Sequence, residues 1–358
     1  MHANESKLTT VSKHVFFERS ARLSILNEIS IAKKPKVRII EFGVNLFSLD
    51  FYLINSKNYR SIEVFIIVES VEEKEIISSI FSSNNINPKI ILSSDFDDIP
   101  VNNYDYSFLN QESLGFSNNI DFCIKNSSNM SVILDKNFLN TVKFKPLRDK
   151  LSFLQIKTIY DLPTDFSRKN KNKDYIILNI FCNESPNTTD IISPAHGNLI
   201  NIKQEVITKN FPNWVIYCDQ SFVDYYTSLI KQNRVLKAYH DRDISISSCN
   251  SQSGIPVISL KKKEQYILPE VLTGKMISTY LNIDCYYCDP QIGSFLIKEK
   301  PKGYLVDRSL TIIHGGEIDL EKTKDECFIE FIKKSQNYDF KNKVLHENLL
   351  HYLPVKES

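Results

Sequence analysis

The sequence predicts an α/β protein of two domains, the first organised around a parallel sheet. Three observations predict it. Short β-branched runs recur between residues 37 and 109 and alternate with stretches of helical period. A length of 358 residues with 42% hydrophobic content supplies a core for each of two domains. At mid-chain, Asn183-Glu184-Ser185-Pro186-Asn187-Thr188-Thr189 has the polar, Pro-containing composition of a linker. The domains expected are therefore residues 1–185 and 186–358.

The elements follow in order. Residues 6–31 place Val11, Val15, Phe16, Leu23, Leu26 and Ile29 near helical spacing, which predicts a leading helix. Lys33-Lys34-Pro35 ends it, because the residue before a proline avoids the helical region. Such a helix packs on the sheet or forms a dimer contact. Val37 to Phe42 is a buried strand with a tight exit at Gly43, followed by a helix bearing Leu46, Leu49, Phe51, Leu53 and Ile54. Val64 to Val68 is the second strand, Val71 to Ser83 a helix, Lys89 to Leu92 the third strand and Tyr104 to Leu109 the fourth. Ile120 to Lys125 and Leu147 to Phe153 read as helices; Met130 to Leu134, Ile156 to Tyr160 and Tyr175 to Phe181 read as strands. Between the last two, residues 167–174 are polar and basic, as a solvated hairpin loop would be.

Parallel sheets bind ligands outside their carboxyl ends, where the strand order reverses. Gly43, Glu69 and Asp95 fall on that rim. A carboxylate ending the second strand suits a ribose diol, since it accepts hydrogen bonds from both hydroxyls. Asp95 with Phe96 suits an adenine, the carboxylate taking the exocyclic amine and the ring stacking on the base.

In these residues the stretch 36–185 resembles the class I S-adenosylmethionine-dependent methyltransferases. Glu41-Phe42-Gly43 is similar to their first motif, Glu69 to their second-strand acid, and Asp95 to Pro100 with Tyr104-Asp105-Tyr106 to their third and fourth motifs. The resemblance implies a Rossmann-like, methyltransferase-like first domain and methyl transfer from S-adenosylmethionine to an acceptor. It implies that Glu41, Gly43, Glu69, Asp95 and Phe96 hold that cofactor. Where the family carries further glycines, this chain has Val44, Asn45, Leu46 and Phe47, whose side chains are expected to crowd a ligand.

The second half reads as a smaller α/β domain. Leu199 to Ile207 is helical in pattern, Trp214 to Cys218 a strand, Phe222 to Ile230 a helix, and Ile244 to Ser247 and Gly254 to Leu260 strands. Leu320 to Ile332 and residues 343–353 read as docking helices. Phe211 to Tyr217 with Ser253 to Ile258 looks like the second half of a GT-B glycosyltransferase, the rival enzyme reading, with a nucleotide sugar near His240, Gly254 and Glu270. A third reading is non-catalytic, a scaffold or partner subunit whose first loop no longer admits cofactor. His240-Asp241-Arg242-Asp243 and His314-Gly315-Gly316-Glu317 carry groups able to do acid/base work, and each also reads as a solvated turn. Cys285-Tyr286-Tyr287-Cys288 has the spacing of half a zinc site, but no second pair exists, so no metal is expected.

Composition narrows the partners. With 44 basic against 43 acidic residues, the chain has no electrostatic footprint for nucleic acid or for an anionic membrane. No apolar run is long enough to span a bilayer, and seven scattered cysteines read as reduced thiols. The expectation is a cytoplasmic protein that takes a small-molecule cofactor and forms a homodimer or binds a partner protein.

Overall fold

The computed structural model describes residues 7–8, 11, 19–27, 29, 34–101, 103–162, 174–193, 198–209, 213–230, 237–238, 256–258, 265–267, 280–281, 285–288, 297–307, 311–314, 317–335, 337, 353–354 and 356. They fall into two compact units, Met1–Trp214 and Val215–Ser358. Each is described by itself.

The first unit begins with α1 (Arg19–Asn27) and then alternates β1 (Lys36–Phe42), α2 (Phe47–Asn55), β2 (Ser61–Val68), α3 (Val71–Ser82), β3 (Lys89–Leu92), a 3₁₀ segment (Ser93–Asp98) and β4 (Tyr104–Asn110). It continues through α4 (Phe116–Asn126), β5 (Ser127–Asp135), α5 (Lys145–Leu151), β6 (Gln155–Leu162), β7 (Tyr175–Phe181), β8 (Thr188–Ser193), β9 (Asn198–Lys203) and α6 (Gln204–Thr208). The strands form one nine-stranded sheet in the order β3-β2-β1-β4-β5-β7-β6-β8-β9. β3, β2, β1, β4 and β5 are mutually parallel, and β7 lies antiparallel to both β5 and β6. The chain winds outward from β1 to β3, then returns to β4 and winds the other way. This is a Rossmann-like α/β fold, and its switch point lies between β1 and β4.

The helices cover both faces because alternate residues of each strand need burial on opposite sides. On one face Val37 and Ile39 pack with Phe47, Phe51, Tyr106, Phe108 and, from α1, Ile25 and Leu26. Val64, Ile66 and Val68 extend it against Ile77, Ile80 and Phe81 of α3. On the other face the Phe42 ring lies 5.9 Å from that of Phe122 on α4. Ser70 caps α3, its hydroxyl accepting from the Glu73 amide at 3.1 Å.

Three expectations are corrected in this part of the chain. Residues 199–203 form β9 rather than a helix, since pairing Ile200 with Ile191 and Ile202 with Thr189 extends the sheet; helix is confined to Gln204–Thr208. Trp214 to Cys218 is buried but not a strand, because its amides find single partners: Trp214 donates to the Leu139 carbonyl and Ile216 to Asn337 Oδ1. The polar stretch at 183–189 connects β7 to β8 within one sheet, and the units divide only after Trp214. β8 pairs in parallel with β6, which draws the following chain into the first sheet.

The second unit holds α7 (Gln220–Ile230), α8 (Glu326–Ser335) and two four-stranded sheets, β10-β17-β14-β15 and β12-β11-β16-β13. These strands are β10 (Lys237–Ala238), β11 (Pro256–Ile258), β12 (Gln265–Ile267), β13 (Tyr280–Leu281), β14 (Tyr286–Cys288), β15 (Lys298–Glu299), β16 (Leu305–Asp307) and β17 (Thr311–His314). Among the described residues only β11 and β16 pair in parallel. A second doubly wound sheet, which the nucleotide-sugar reading requires, is not what these pairings make. The loop at 167–173, the strand expected at 244–247, all but Leu353 of the helix expected at 343–353 and the subsite around His240, Gly254 and Glu270 lie outside the described residues. Among the described residues no helix is long and apolar enough to cross a membrane.

The leading helix is tied to α2 by charge. Asp50, 1% exposed, accepts from Arg22 Nε at 2.6 Å and from Arg19 Nε at 3.1 Å. Removing one partner of a buried pair strands the other charge. Asp50→Ala should therefore cost about 3 to 5 kcal/mol, whereas Arg22→Met with Asp50→Leu should recover most of the loss. Urea denaturation of the three proteins, followed by far-UV circular dichroism, checks both expectations.

Candidate functional site

The rim at the carboxyl ends of β1 and β4 is built from the loop that leaves β1. Gly43 turns the chain at φ 79°, a conformation that costs a glycine little, while its amide still donates to the Ile67 carbonyl at 3.1 Å. Val44, Asn45, Leu46 and Phe47 follow, none more than 2% exposed. Leu46 sits at φ 63°, a left-handed conformation that strains a leucine and does the turning a further glycine would do. Its side chain and that of Val44 pack with Leu49, Val64 and Ile66, and Phe47 stacks on Phe108 at 5.5 Å. The bulky side chains expected to crowd a ligand are thus turned into the two cores.

Glu41 sets this geometry. Its carboxylate, 2% exposed, accepts from the amides of Asn45 at 2.9 Å, Ser48 at 2.9 Å and Phe47 at 3.4 Å, and from the Ser48 hydroxyl. The free amides at a helix start can bind an anion from outside. Here those of Phe47 and Ser48 at the head of α2, and that of Asn45 in the loop before it, already bond a carboxyl group from within the chain. Burial raises the Glu41 pKa above the ordinary carboxylate value, and the Ser48 hydroxyl and the three amides offset part of that rise.

The other rim residues are placed as follows. Glu69 ends β2, half-buried; its Oε1 accepts from the Leu114 amide at 2.7 Å, and its own amide donates to Glu73 at 2.7 Å. It therefore bridges β2 to the loop after β4. Asp95 is exposed and accepts from the Ser94 hydroxyl at 2.9 Å. Phe96 is half-buried, its ring 6.3 Å from Phe42 and 5.8 Å from Phe122. Gly43, Glu69, Asp95 and Phe96 all lie at carboxyl ends of neighbouring strands, while Glu41 faces inward.

Two residues that the sequence reading missed complete the site. Asn110 is the last residue of β4, placed opposite Gly43 by the pairing of Phe42 with Leu109. It is 1% exposed; its Oδ1 accepts from the Glu112 amide at 3.0 Å, and its Nδ2 has no hydrogen-bond partner among the described residues. Asn45, 2% exposed, likewise leaves its Oδ1 without a partner there. A buried donor and a buried acceptor thus flank the switch point, where unmet polar groups are costly. The signal available was an asparagine directly ending a buried strand on the ligand-binding rim. Farther along that rim, Lys136 Nζ lies 2.9 Å from Asp161, which also accepts from the Ser193 hydroxyl at 2.9 Å.

The candidates in the second half belong to the second unit or lie outside the described residues. His240 and Asp241 lie outside the described residues, and His314 ends β17 with its backbone opposite Lys237. Cys285 and Cys288 are buried on an extended segment, where the Lys300 amide donates to the Cys285 carbonyl at 2.9 Å. Cys288 ends β14 and Cys285 immediately precedes it, and neither is in a disulfide. No group of three or more His, Cys, Asp or Glu is placed to hold a metal among the described residues.

Two predictions arise here. Because folding raises the Glu41 pKa, its ionisation opposes folding: stability is greatest with the carboxyl protonated and falls as pH rises from the unfolded value through the folded one. Glu41→Gln should flatten that fall, while Glu41→Ala, which leaves the amides unmet, should cost about 3 kcal/mol or more at every pH. Urea titrations from acid to neutral pH measure both. For the cysteines, elemental analysis of purified protein should find no stoichiometric zinc, and Cys285→Ser should leave metal content unchanged.

No family model matches the chain, and no curated protein matches it. Solved structures similar to it include a Listeria monocytogenes protein described as a class I S-adenosylmethionine-dependent methyltransferase, at 11% identity over 50% of this chain and 65% of that one, with a TM-score of 0.41. Another is the methyltransferase subunit of a type I restriction-modification system from Streptococcus thermophilus, at 15% identity over 53% and 51%, TM-score 0.38. A third is M. capricolum TrmK in complex with S-adenosyl-homocysteine, at 12% over 64% and 90%, TM-score 0.35. The chain spans less than two thirds of the length of the first two. The Rossmann-like class of the first unit stands on its own strand order and crossovers.

Proposed function

We propose that the first unit binds S-adenosylmethionine at the carboxyl ends of β1 and β4 and transfers its methyl group to an acceptor. The observation that carries this reading is the pair of buried amide side chains at the switch point, Asn45 and Asn110, each with a polar atom that no described residue meets. Burying such a group without a partner costs about 1 to 3 kcal/mol, which a polar ligand at that spot would offset. On this reading Glu69 accepts from the ribose hydroxyls, Asp95 accepts from the adenine amine and Phe96 lies against the base. The motifs around Glu41, Gly43, Glu69 and Asp95 select S-adenosylmethionine among adenosine-containing cofactors. Bound there, the cofactor supplies an electrophilic methyl group; the chain's own part is to hold and orient it. The inward packing of Val44, Leu46 and Phe47 supports the reading, because it removes the expected obstruction.

A second, non-catalytic reading is favoured by one observation. The amides of Asn45, Phe47 and Ser48 already bond Glu41, so the loop keeps fewer donors for a cofactor carboxylate. Calorimetry with S-adenosylmethionine and S-adenosylhomocysteine separates the two. On the enzyme reading both ligands bind, and Glu69→Ala and Asn110→Ala each weaken binding by about 1 to 3 kcal/mol, a loss of roughly 5- to 150-fold. Binding of neither ligand at millimolar concentration would leave the scaffold reading standing.

A further inference from the structure

We propose that β9, the outermost strand of the nine-stranded sheet, is a dimer interface: it pairs antiparallel with the β9 of a second copy, so that the two sheets run on as one. Among the described residues β9 pairs on one side only, with β8. Its side chains show the other side to be open. Leu199 is 74% exposed, Asn201 and Lys203 are exposed, and Ile200 and Ile202 are half-buried. An unpaired edge invites a further strand, and proteins blunt such edges with short strands, proline and lysine. The opposite edge of this sheet is blunted in that way: β3 has four residues, follows Pro88 and opens on the exposed Lys89. β9 has six residues, holds no proline and carries its single charge at its end, on Lys203.

The backbone of β9 fixes what a second copy meets. The Gln204 amide donates to the Asn187 carbonyl at 2.7 Å, one step beyond the pairing of Lys203 with Thr188. Along an antiparallel ladder, residues alternately direct both backbone groups to the neighbour and away from it. Asn198, Ile200 and Ile202 therefore bond β8, while Leu199, Asn201 and Lys203 turn their N–H and C=O groups to the open edge. The side chains are nearly symmetric about Asn201, with Ile200 and Ile202 on either side and Leu199 and Lys203 beyond. A two-fold axis through Asn201, perpendicular to the sheet, uses both features. Asn201 then faces its own copy, Leu199 faces Lys203, and each of these pairs exchanges both backbone bonds. Ile200 faces Ile202 on the other side of the sheet, where they pair with the fully buried Ile191 and Thr189. The Asn201 Nδ2 donates to Asp190 Oδ1 at 2.5 Å, which leaves its second hydrogen for the amide across the axis. Charge suits a second copy as well. The two lysines stand at opposite ends of the pair, about 14 Å apart along the strands and beyond a Debye length, each opposite a leucine. Strand direction reverses across the axis, so the carboxyl-end rims of the two copies open to opposite sides and neither covers the other.

Sedimentation of the whole chain at tens of micromolar should show a dimer. Leu199→Lys, which sets a second ammonium opposite Lys203 at both ends of the interface, should raise the dimer dissociation constant by about tenfold or more. Leu199→Glu removes the same leucine but sets a carboxylate there, and should keep the constant close to the parent's. Leu199→Lys combined with Lys203→Glu should restore the dimer. Leu199 is exposed, so each variant should retain the parent's far-UV circular dichroism. A monomer at tens of micromolar, a dimer untouched by Leu199→Lys, equal weakening by Leu199→Lys and Leu199→Glu, or a double variant as weak as Leu199→Lys alone would each overturn the proposal.

Discussion

The buried carboxylate of Glu41 is the constraint on which the first unit depends. It ties the end of β1 to the start of α2, since it accepts from the Phe47 and Ser48 amides of that helix's first turn and from the Asn45 amide in the loop before it. Wherever the carboxylate sits, α2 must start there. Phe47, Leu49 and Phe51 are thereby aimed at the sheet, and Leu46 is forced into a left-handed conformation that its burial in the core sustains. Burial raises the pKa of this carboxyl group, and the Ser48 hydroxyl and the three amides offset part of that rise.

From that point the rim is assembled by reach across strands rather than along them. Glu69 spans from β2 to the amide of Leu114 beyond β4, and Phe96 leaves the end of β3 to lie between Phe42 of β1 and Phe122 of α4. The Gln111 side chain accepts from the Asp135 amide at 2.8 Å and so ties the loop after β4 to the end of β5. Beyond β5, antiparallel β7 lets β6 and β8 present their carboxyl ends on the same side, where Asp161 and Ser193 meet Lys136. Polar side chains therefore run along the whole rim.

Much of the first unit was legible. The β-branched runs at 37–42, 64–68 and 89–92 and the aromatic run at 104–109 are strands, and the helices between them follow their apolar spacing, because a parallel strand buried on both faces is rich in large apolar residues. Residues 199–203 were not legible as a strand. Leu199, exposed on an edge, spoils the alternation, and only the neighbouring strand β8 settles the conformation. The rim acids could be named from their places after strands. Their hydrogen bonds could not, because Leu114 is 45 residues from the carboxylate it donates to.

What the sequence by itself determined is the order of elements in the first unit and the residues standing at its strand ends, both consequences of local periodicity and of short-range turn chemistry. Tertiary structure alone decided which way those residues face. Glu41 turned inward to its own helix, Val44, Leu46 and Phe47 went to the cores, and Asn45 and Asn110 were left with unmet atoms at the switch point. It also decided that Cys285 and Cys288 are both buried. The physical reason is common to all four cases. A side chain's direction depends on the pleat and on partners far away in sequence, and neither is written in the spacing of residue types.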